Sequence, residues 1–307
     1  ASLDIAFHDK EPAFALNKGI KLNYLKYTID EKKSKFTSDE WNEYVKMFWV
    51  GLMDGDGSIQ TNYWVSKDKK SKSIQYRMII QLKNLPSNYK MLVEISKILK
   101  GSVRILNKSE KVIWVMDDRD QIYNLIREVY YKYPPLQYRR YYQLKFMLLC
   151  MHLKDYDFYL NNRNNKFDTN LYENYKDFFK NESLIYYNGF NNLYNSNMYT
   201  LDYYKGWLSG FMEAESSFSL RTTNNNHSFS ISQDNEYDLI QSIVLFFNIK
   251  NQIRNPYKNF YIIEVYRRSV LLNIYHHLME YPLLGNKNEQ MTKFYTHIFL
   301  IPGKKKI

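Results

Sequence analysis

The first regular feature of the chain is a helical period of apolar residues between Trp41 and Leu52. The preceding segment Thr37-Ser-Asp-Glu40 has the residues of a capping box, in which the threonine hydroxyl and the glutamate carboxylate each accept a hydrogen bond from the other's backbone N–H. After Gly57, polar and apolar residues alternate as far as Val65, which is the period of a half-buried strand. A helix that runs directly into a strand is therefore predicted here.

The same succession of patterns returns about 150 residues later along the chain. Trp49-Val-Gly-Leu-Met-Asp-Gly-Asp-Gly57 matches Leu208-Ser-Gly-Phe-Met-Glu-Ala-Glu-Ser216, and the offset between paired positions runs from 159 residues at Asp56 and Glu215 to 148 at Arg139 and Lys287. The paired elements that follow are predicted second strands at Ser73–Lys83 and His227–Asn235, helices at Ser87–Leu99 and Glu236–Phe247, third strands around Arg104 and Arg254, fourth strands at Val112–Met116 and Tyr261–Tyr266, helices at Gln121–Tyr131 and Val270–Met279, and one more helix after each Tyr-Pro segment. Matched elements in one order indicate a duplicated unit.

The duplication divides the chain into an N-terminal extension (1–36), a first half (37–152), a middle segment (153–198), a second half (199–301) and a basic tail (302–307). The middle segment is crowded with Asn, Tyr, Lys and Asp, so we expect a polar, partly ordered linker that buries little apolar area. The alternative is a surface subdomain of short helices, because Tyr and Phe are frequent in it.

Composition narrows the kinds of partner. A formal net charge of +11 favours a polyanion, because each Lys or Arg placed on a phosphate releases condensed counterions, although a basic surface without a partner is the alternative. The single cysteine, Cys150, excludes a disulfide framework, and the six histidines show no zinc-ligand spacing. The chain contains no apolar run of about 18 residues, which argues against a membrane partner. Thirty tyrosines, with abundant Asn, Lys and Ile, indicate an A/T-rich genome such as that of an organelle.

The two matched motifs carry the candidate chemistry. Small residues stand one helical turn apart in both copies, at Gly51 and Gly55 and at Gly210 and Ala214. At that spacing two helix backbones can approach closely, and the carboxylates that follow, Asp56 and Glu215, come within reach of each other. Two such carboxylates repel unless a hard cation such as Mg²⁺ bridges them. One copy would equally suit an ordinary helix–turn–strand corner, whereas two copies in a duplicated unit favour a metal site.

These motifs resemble the signature of the LAGLIDADG homing endonuclease family, of the single-chain, intron-encoded type, and the resemblance covers most of residues 38–301. It implies an α+β fold of two pseudo-symmetric αββαββα halves, each with a four-stranded antiparallel sheet that forms a DNA-binding saddle. It further implies that Asp56 and Glu215, with the backbone of Gly55 and Ala214, hold divalent metal ions over the scissile phosphates. The expected cofactor is Mg²⁺, and Ca²⁺ is expected to support binding without cleavage.

The resemblance also suggests roles for neighbouring residues. Asp54 and Glu213 would be structural partners rather than metal ligands, and Ser216 departs from the glycine that is usual at its position. Lys287 matches the family's basic residue near the cleavage centre and Arg139 holds the corresponding place in the first half. The alternative for these two cations is that they bind backbone phosphates.

Gln81 and Gln233 end the second strands, where the family often has a polar residue that orders solvent near the metal ions. Their strand phases disagree between the halves, which suggests a bulge in one of them. Both residues are kept as candidates for the catalytic site.

Side chains on the polar strand faces are the candidates for contacts with DNA bases, since Arg suits guanine and Asn or Gln suits adenine. They are Gln60, Asn62, Trp64, Ser66, Gln75, Arg77 and Arg104 in the first half, and Ser219, Arg221, Thr223, Ser228, Ser230 and Arg254 in the second. Each one taken alone is more typical of a solvated face or a phosphate contact than of a base contact, whereas together they make a coherent surface. The run Lys67-Asp-Lys-Lys-Ser-Lys72 is predicted to be the tip of a basic hairpin.

Three functions are compatible with these features. The first is a Mg²⁺-dependent, sequence-specific endonuclease that hydrolyses both strands of a long double-stranded DNA site. The second is a maturase, an RNA-binding cofactor for splicing of the host intron, which would not require the two carboxylates. The third is a DNA-binding protein without catalysis, which the presence of both carboxylates disfavours. Because two unlike halves can bind a non-palindromic site without dimerising, we expect a monomer, and composition and resemblance together predict a mitochondrial location.

Overall fold

The computed structural model describes residues 28–106, 108, 110–182, 195–221 and 223–300. The predicted basic tail, most of the N-terminal extension and residues 183–194 of the middle segment lie outside these ranges. Within the described residues, no helix is both long enough and apolar enough to cross a membrane.

The first half begins with the long helix that its capping box predicts. The Glu40 backbone N–H donates to Thr37 Oγ1 at 3.2 Å and the Thr37 N–H donates to Glu40 Oε2 at 2.8 Å, so both halves of the box are formed. The elements of this half are α2 (Ser38–Asp56), β1 (Gly57–Val65), β2 (Lys72–Lys83), α3 (Pro86–Leu99), β3 (Ser102–Leu106), β4 (Lys111–Met116), α4 (Arg119–Leu125) and α5 (Tyr138–Leu153), preceded by a short helix α1 (Ile29–Lys33). A π-helical turn at Ile126–Tyr130 continues α4.

The middle segment contributes α6 (Tyr156–Asn162), a 3₁₀ helix (Thr169–Tyr175), α7 (Lys176–Glu182) and a second 3₁₀ helix (Ser196–Thr200). The second half repeats the first with α8 (Tyr204–Glu215), β5 (Ser216–Ser219), β6 (Ser228–Asp234), α9 (Tyr237–Phe246), β7 (Arg254–Tyr257), β8 (Phe260–Val265), α10 (Arg268–Glu280) and α11 (Lys287–Leu300). The predicted order of elements is confirmed in both halves.

Each half contains one four-stranded antiparallel sheet. The strand orders are β1-β2-β4-β3 and β5-β6-β8-β7, so the two sheets have the same topology. The apolar side of each sheet, with residues such as Met78 and Ile80 in β2 and Phe229 and Ile231 in β6, is buried against the helices. The opposite, open face of each sheet carries the polar side chains. The expected α+β fold of two related halves is therefore confirmed.

Helices α2 and α8 form the interface between the halves, and they touch through their glycines. A Cβ atom on Gly51 would overlap the Trp207 carbonyl oxygen and lie 2.7 Å from the Phe211 nitrogen, and one on Gly210 would overlap the Phe48 carbonyl oxygen. The backbones therefore approach each other at a distance that leaves no room for a side chain at either position.

The middle segment differs from the expected polar linker. In its part at 156–182 the rings of Tyr159, Tyr172 and Phe179 are buried in the core. The ammonium group of the buried Lys145 on α5 lies 4.7 Å from the centre of the Tyr172 ring and 4.8 Å from that of Phe179, which adds cation–π attraction. The expectation that this part buries little apolar area is wrong, because its aromatic residues pack onto α5, and the alternative of short helices describes it.

The same segment covers the outer edge of the first sheet. β1 is an edge strand, and the Tyr159 hydroxyl donates to the Thr61 carbonyl oxygen at 2.8 Å. The Tyr156 hydroxyl donates to the Lys72 carbonyl oxygen at 3.0 Å, at the start of β2. Uncovered edge strands invite pairing with other chains, so these bonds both protect β1 and fix the hairpin that it forms with β2.

We expect Gly210→Ala to lower the free energy of unfolding by about 3 kcal/mol or more, because the added methyl group meets backbone atoms that cannot move aside. Gly206→Ala on the same helix is the comparison: its Cβ would lie 2.7 Å from the Met47 Cβ, which is a milder overlap than that with the Phe48 carbonyl oxygen, so we expect a smaller loss. Urea unfolding followed by fluorescence measures both variants. Equal losses in the two variants would show that the interface does not depend on backbone contact at Gly210.

Candidate active site

Asp56 and Glu215 are the last residues of α2 and α8, and the close approach of the two helices brings these ends together. A Cβ atom on Gly55 would overlap the Ala214 methyl group and lie 3.3 Å from Glu215 Oε1. The Glu215 carboxylate thus lies against the helix that ends in Asp56. The side chains stand at the junction of the two sheets, since Gly57 and Ser216 begin β1 and β5 directly after them.

The surroundings of the two carboxyl groups disfavour their charged forms. Desolvation by the packed protein raises the pKa of Asp56 to about 6, with the Lys287 charge opposing the rise. Desolvation also raises the pKa of Glu215 to about 7, and the negative charge of Asp56 adds to that rise. Two neighbouring acids that repel each other at neutral pH form a place where a cation is stabilised.

The expected pair Gln81 and Gln233 occupies two different environments. The Gln233 side chain hydrogen-bonds Glu215 and lowers its pKa, whereas Gln81 is exposed on the open face of the first sheet. Gly57 pairs with Ile80 and Ser216 pairs with Ile231, so Gln233 matches Leu82 in position rather than Gln81. The expected bulge is absent from the β1–β2–β4 and β5–β6–β8 pairings, and the two glutamines lie on opposite faces of their sheets.

The first acidic residue of each motif is buried and accepts backbone hydrogen bonds. Asp54 accepts from the N–H groups of Leu136 at 2.8 Å and Gln137 at 3.3 Å, and from Trp207 Nε1 at 2.7 Å. Burial nevertheless raises the pKa of Asp54 to about 7. Its Trp207 bond crosses from one half to the other, so this carboxylate also ties the halves together.

Glu213 has the corresponding role in the second half. Its carboxylate accepts from the Leu284 N–H at 3.2 Å and the Lys287 N–H at 3.0 Å. These bonds fix the turn that begins α11, just as those of Asp54 fix the turn that begins α5. The placement agrees with a structural role for both acids.

Two cations act on the paired carboxylates, one from each half. The positive charge of Lys287 lowers the pKa of both Asp56 and Glu215, and so does that of Arg140. Arg140 is held in place because its Nε donates to the Met53 carbonyl oxygen at 2.8 Å and its Nη1 to Gln143 Oε1 at 3.2 Å.

Arg139, the predicted cation of the first half, lies elsewhere. It is exposed and lines, with Phe167 and Glu236, a cavity of about 440 Å³ beside the start of α5. One residue along a helix turns a side chain by about 100°, so the sequence match of Arg139 to Lys287 identified the right helix start but the wrong side chain. Arg140 is placed by its hydrogen bond to the Met53 carbonyl oxygen, and no sequence pattern shows that contact.

The oxygen atoms at this junction suit a hard divalent cation. Besides the carboxylates, the carbonyl groups of Gly55 and Ala214 lie in the last turns of their helices, where helical N–H partners run out. The N–H of Ile59, four residues after Gly55, points to Gln143 Oε1 at 3.4 Å instead. Mg²⁺ and Ca²⁺ take such oxygen ligands.

The described residues include no group of three or more His, Cys, Asp or Glu side chains that could hold a metal ion. Two carboxylates and two carbonyl groups would be a partial ligand set, of the kind that Mg²⁺ completes with water and substrate phosphates.

Most of the DNA-binding candidates of the first half form one continuous surface. On the open face Gln60 pairs with Arg77 across the β1–β2 hairpin and Asn62 pairs with Gln75. Trp64 extends the row and is 45% exposed. Arg104 on β3 is exposed on the same sheet, and Ser66 lies in the turn after β1. The predicted basic hairpin tip joins β1 to β2 as expected.

The candidates of the second half are less uniform. Ser219, Ser230 and Arg254 lie on β5, β6 and β7, whereas Arg221 and Thr223 lie beyond the end of β5. Ser228 contradicts the expectation of an exposed side chain: it is buried, and its hydroxyl donates to Glu264 Oε1 at 2.8 Å. Glu264 and the two arginines that donate to it lie beside Ser228.

Sequence analysis missed Glu264 altogether. Its position in β8, alternating with the buried Ile263 and Val265, is a signal for the open face that could have been found. Trp207 was missed as well, since an indole within an apolar period gives no sign that its N–H is bonded to Asp54.

Comparison of the sequence with known families and proteins identifies a family to which this chain is similar. The model of the family described as LAGLIDADG endonuclease matches residues 49–150 and 208–298. A Debaryomyces hansenii protein named "Probable intron-encoded endonuclease aI3" is 38% identical over 96% of this chain, and this chain spans about half (47%) of that relative's length. A Dictyostelium citrinum protein of the same name is 36% identical over 82% of this chain and 94% of its own length.

Solved structures show the same fold at lower identity. The LAGLIDADG homing endonuclease I-GzeII in complex with its DNA target has a TM-score of 0.58 at 19% identity, over 81% of this chain and 88% of that one. The LAGLIDADG meganuclease I-CpaMI bound to uncleaved DNA has a TM-score of 0.56 at 19% identity, over 81% and 89% of the two chains.

In metal-free buffer we expect Glu215→Gln to raise the free energy of unfolding above pH 7 by at most about 3 kcal/mol, since each pKa unit between 4.5 and about 7 corresponds to about 1.4 kcal/mol. The pKa of Glu215 is raised from 4.5 to about 7, so the stability of the unaltered protein is fully present below pH 4.5 and falls as the pH rises through 7. The advantage of the variant should accordingly shrink towards pH 4.5. Chemical unfolding at several pH values in EDTA measures it.

The matched control for this experiment is Glu289→Gln, the same chemical change at an exposed position on α11. It shows the effect of the substitution itself, away from the paired carboxylates. A Glu215→Gln effect that is independent of pH would contradict the crowding of the two carboxylates.

Proposed function

Because this chain belongs to the LAGLIDADG endonuclease family, we propose that it is a homing endonuclease that cuts both strands of a long, non-palindromic DNA site. The single observation that best supports this function is the meeting of Asp56 and Glu215 at the ends of two glycine-packed helices, between two open sheet faces. A carboxylate pair at that place has no evident structural task, since Asp54 and Glu213 already hold the neighbouring turns.

The proposed chemistry is hydrolysis of a phosphodiester bond in each strand. A divalent ion bound there, Mg²⁺ in our proposal, supplies Lewis-acid polarisation of a phosphate oxygen and makes a water molecule more acidic. Asp56 and Glu215 would hold the ion with the carbonyl groups of Gly55 and Ala214. Gln233 orients Glu215 by its hydrogen bond, and this bond leaves the charged form of the carboxylate better stabilised.

Lys287 and Arg140 bring positive charge to the same place from two sides. Both charges lower the pKa of the two carboxyl groups, which supports a role for them at the junction. Near a scissile phosphate, such cations stabilise the negative charge that builds up as the bond to the leaving oxygen breaks. Arg140 takes this role in place of Arg139, which we propose contacts the DNA backbone instead.

The proposed substrate is double-stranded DNA bound along both sheets. The open faces differ in sequence, so each would contact a different half-site, and one chain suffices for a site without two-fold symmetry. We therefore propose a monomer. The relatives named intron-encoded, together with an amino-acid composition typical of an A/T-rich genome, support a mitochondrial intron as the origin of this chain.

We expect a supercoiled plasmid carrying the joined exons that flank this reading frame to be cut once, in both strands, in Mg²⁺. Asp56→Asn and Glu215→Gln should abolish the cut yet bind the site in Ca²⁺ as the unaltered protein does. Gel assays of cleavage and of binding measure the two properties separately. Tight binding without any cut by the unaltered protein would refute the endonuclease and favour DNA binding alone, or an RNA partner such as the host intron.

A second experiment separates the two neighbouring arginines. Lys287→Met and Arg140→Met should each slow cleavage by about 100-fold, as loss of one charge-stabilising donor does. Arg139→Met should slow cleavage by less than about threefold, because the Arg139 side chain lines the cavity beside the start of α5. Single-turnover rates at saturating protein concentration measure this difference, and thermal melting confirms that each variant is folded. An equal effect at positions 139 and 140 would contradict the assignment of Arg140.

A further inference from the structure

A carboxylate on the open face of the second sheet binds two arginines at once. Glu264, in the central strand β8, accepts from Arg254 Nη2 at 2.6 Å and from Arg221 Nη2 at 3.1 Å. It also accepts from the buried Ser228 hydroxyl at 2.8 Å, and the Tyr266 side chain forms a further hydrogen bond to it. We call Glu264, Arg221, Arg254 and Ser228 the Glu264 cluster.

Glu264 is charged, and its oxygens are occupied by protein donors. Burial alone would raise the pKa of this carboxyl group, but the hydrogen bonds of Tyr266 and Ser228 and the charges of the two arginines outweigh it and lower the pKa. A carboxylate offers about four acceptor positions, and four donors fill them here. The Glu264 side chain is only 12% exposed, so it has little capacity left to accept from a cytosine amino group.

The arginines, in contrast, keep donors free for a ligand. The Arg221 side chain is 46% exposed and that of Arg254 is 59% exposed, and each directs one Nη2 at Glu264. A guanidinium has five N–H donors, and a fork of two of them matches O6 and N7 of guanine in the major groove. Holding a long side chain in one geometry before binding removes part of the entropy cost of ordering it.

The first half lacks this arrangement at the corresponding place. Arg104 pairs with Ile113 as Arg254 pairs with Ile262, so the two arginines match, and Val115 stands where the second half has Glu264. Arg104 approaches only the half-exposed Asp117, at 3.9 Å. One arginine of the duplicated pair is therefore held loosely and the other is held tightly.

We infer that Glu264 is a specificity-determining positioning residue, which holds Arg221 and Arg254 so that both donate to guanine in the half-site under the second sheet. This inference rests on the proposed DNA-binding function and names part of the sequence that the chain would select. Glu264 acts through the arginines and does not touch the DNA. It also offsets one of their two charges, which weakens attraction to phosphates of unrelated DNA and favours base contacts.

The test is selection of bound duplexes from a randomised DNA library in Ca²⁺, which needs no cleavage. The unaltered protein should enrich guanine at positions under the second half. Glu264→Gln should lower that guanine preference by about tenfold, since a bidentate contact discriminates by that order. It should also bind a random-sequence duplex more tightly, with a salt dependence steeper by about one phosphate contact. The matched control, Asp117→Asn, should leave the guanine positions of the second half unchanged.

A further variant separates geometry from charge. Arg254→Lys keeps the positive charge but loses the fork, so it should reduce the guanine preference without steepening the salt dependence. Thermal melting establishes that the variants are folded. Unchanged guanine enrichment in folded Glu264→Gln would overturn the inference, even if plasmid cleavage by the unaltered protein supports the endonuclease. Enrichment of no sequence by the unaltered protein would overturn the proposed function and the inference together.

Discussion

Two helix backbones can touch only where neither has a side chain, and this constraint lies at the centre of the molecule. Gly51 and Gly210 each face a carbonyl group of the other motif helix, so the distance and the register between α2 and α8 are set by backbone atoms. With that register fixed, the ends of the helices coincide, and the sheets that begin immediately after them are placed side by side. The proximity of Asp56 and Glu215 is a consequence of packing about one and a half helical turns before them.

The same contact explains why ionisable groups are tolerated so near a core interface. Asp54 and Glu213 are buried, but each accepts backbone N–H bonds from the turn in front of the following helix. A buried carboxylate oxygen that accepts in this way stabilises a turn, whereas one without a partner costs free energy, and Oδ1 of Asp54 has no partner among the described residues. Those turns in turn set the start of α5 and α11, from which Arg140 and Lys287 extend towards the paired carboxylates. At the end of each motif helix, a structural acid is thus followed two residues later by a proposed catalytic acid.

Duplication supplied a common scaffold, and the two open faces then diverged on it. Strand order and pairing register agree between the sheets, yet Val115 on one open face corresponds to Glu264 on the other. Backbone bonds maintain the sheet whatever the outward side chains are, so these positions are free to change. The open face of the second sheet has two arginines that a carboxylate holds, and that of the first sheet has one loosely paired arginine. The two faces would therefore present different donors to the proposed DNA site. That asymmetry suits a site without two-fold symmetry.

The sequence by itself determined the duplication, the order of the strands and helices, the motif helices and the two carboxylates at their ends, because periodicity and capping are local properties of the chain. Only the tertiary structure decided that Arg140 rather than Arg139 acts on those carboxylates, and that Gln233 but not Gln81 bonds to one of them. It also decided that Ser228 is buried next to Glu264. It also turned the middle segment from a polar linker into helices whose aromatic rings pack on α5. Each of these depends on which side of an element faces a neighbour distant in sequence, and a rotation of one residue, which leaves a local pattern unchanged, reverses the answer.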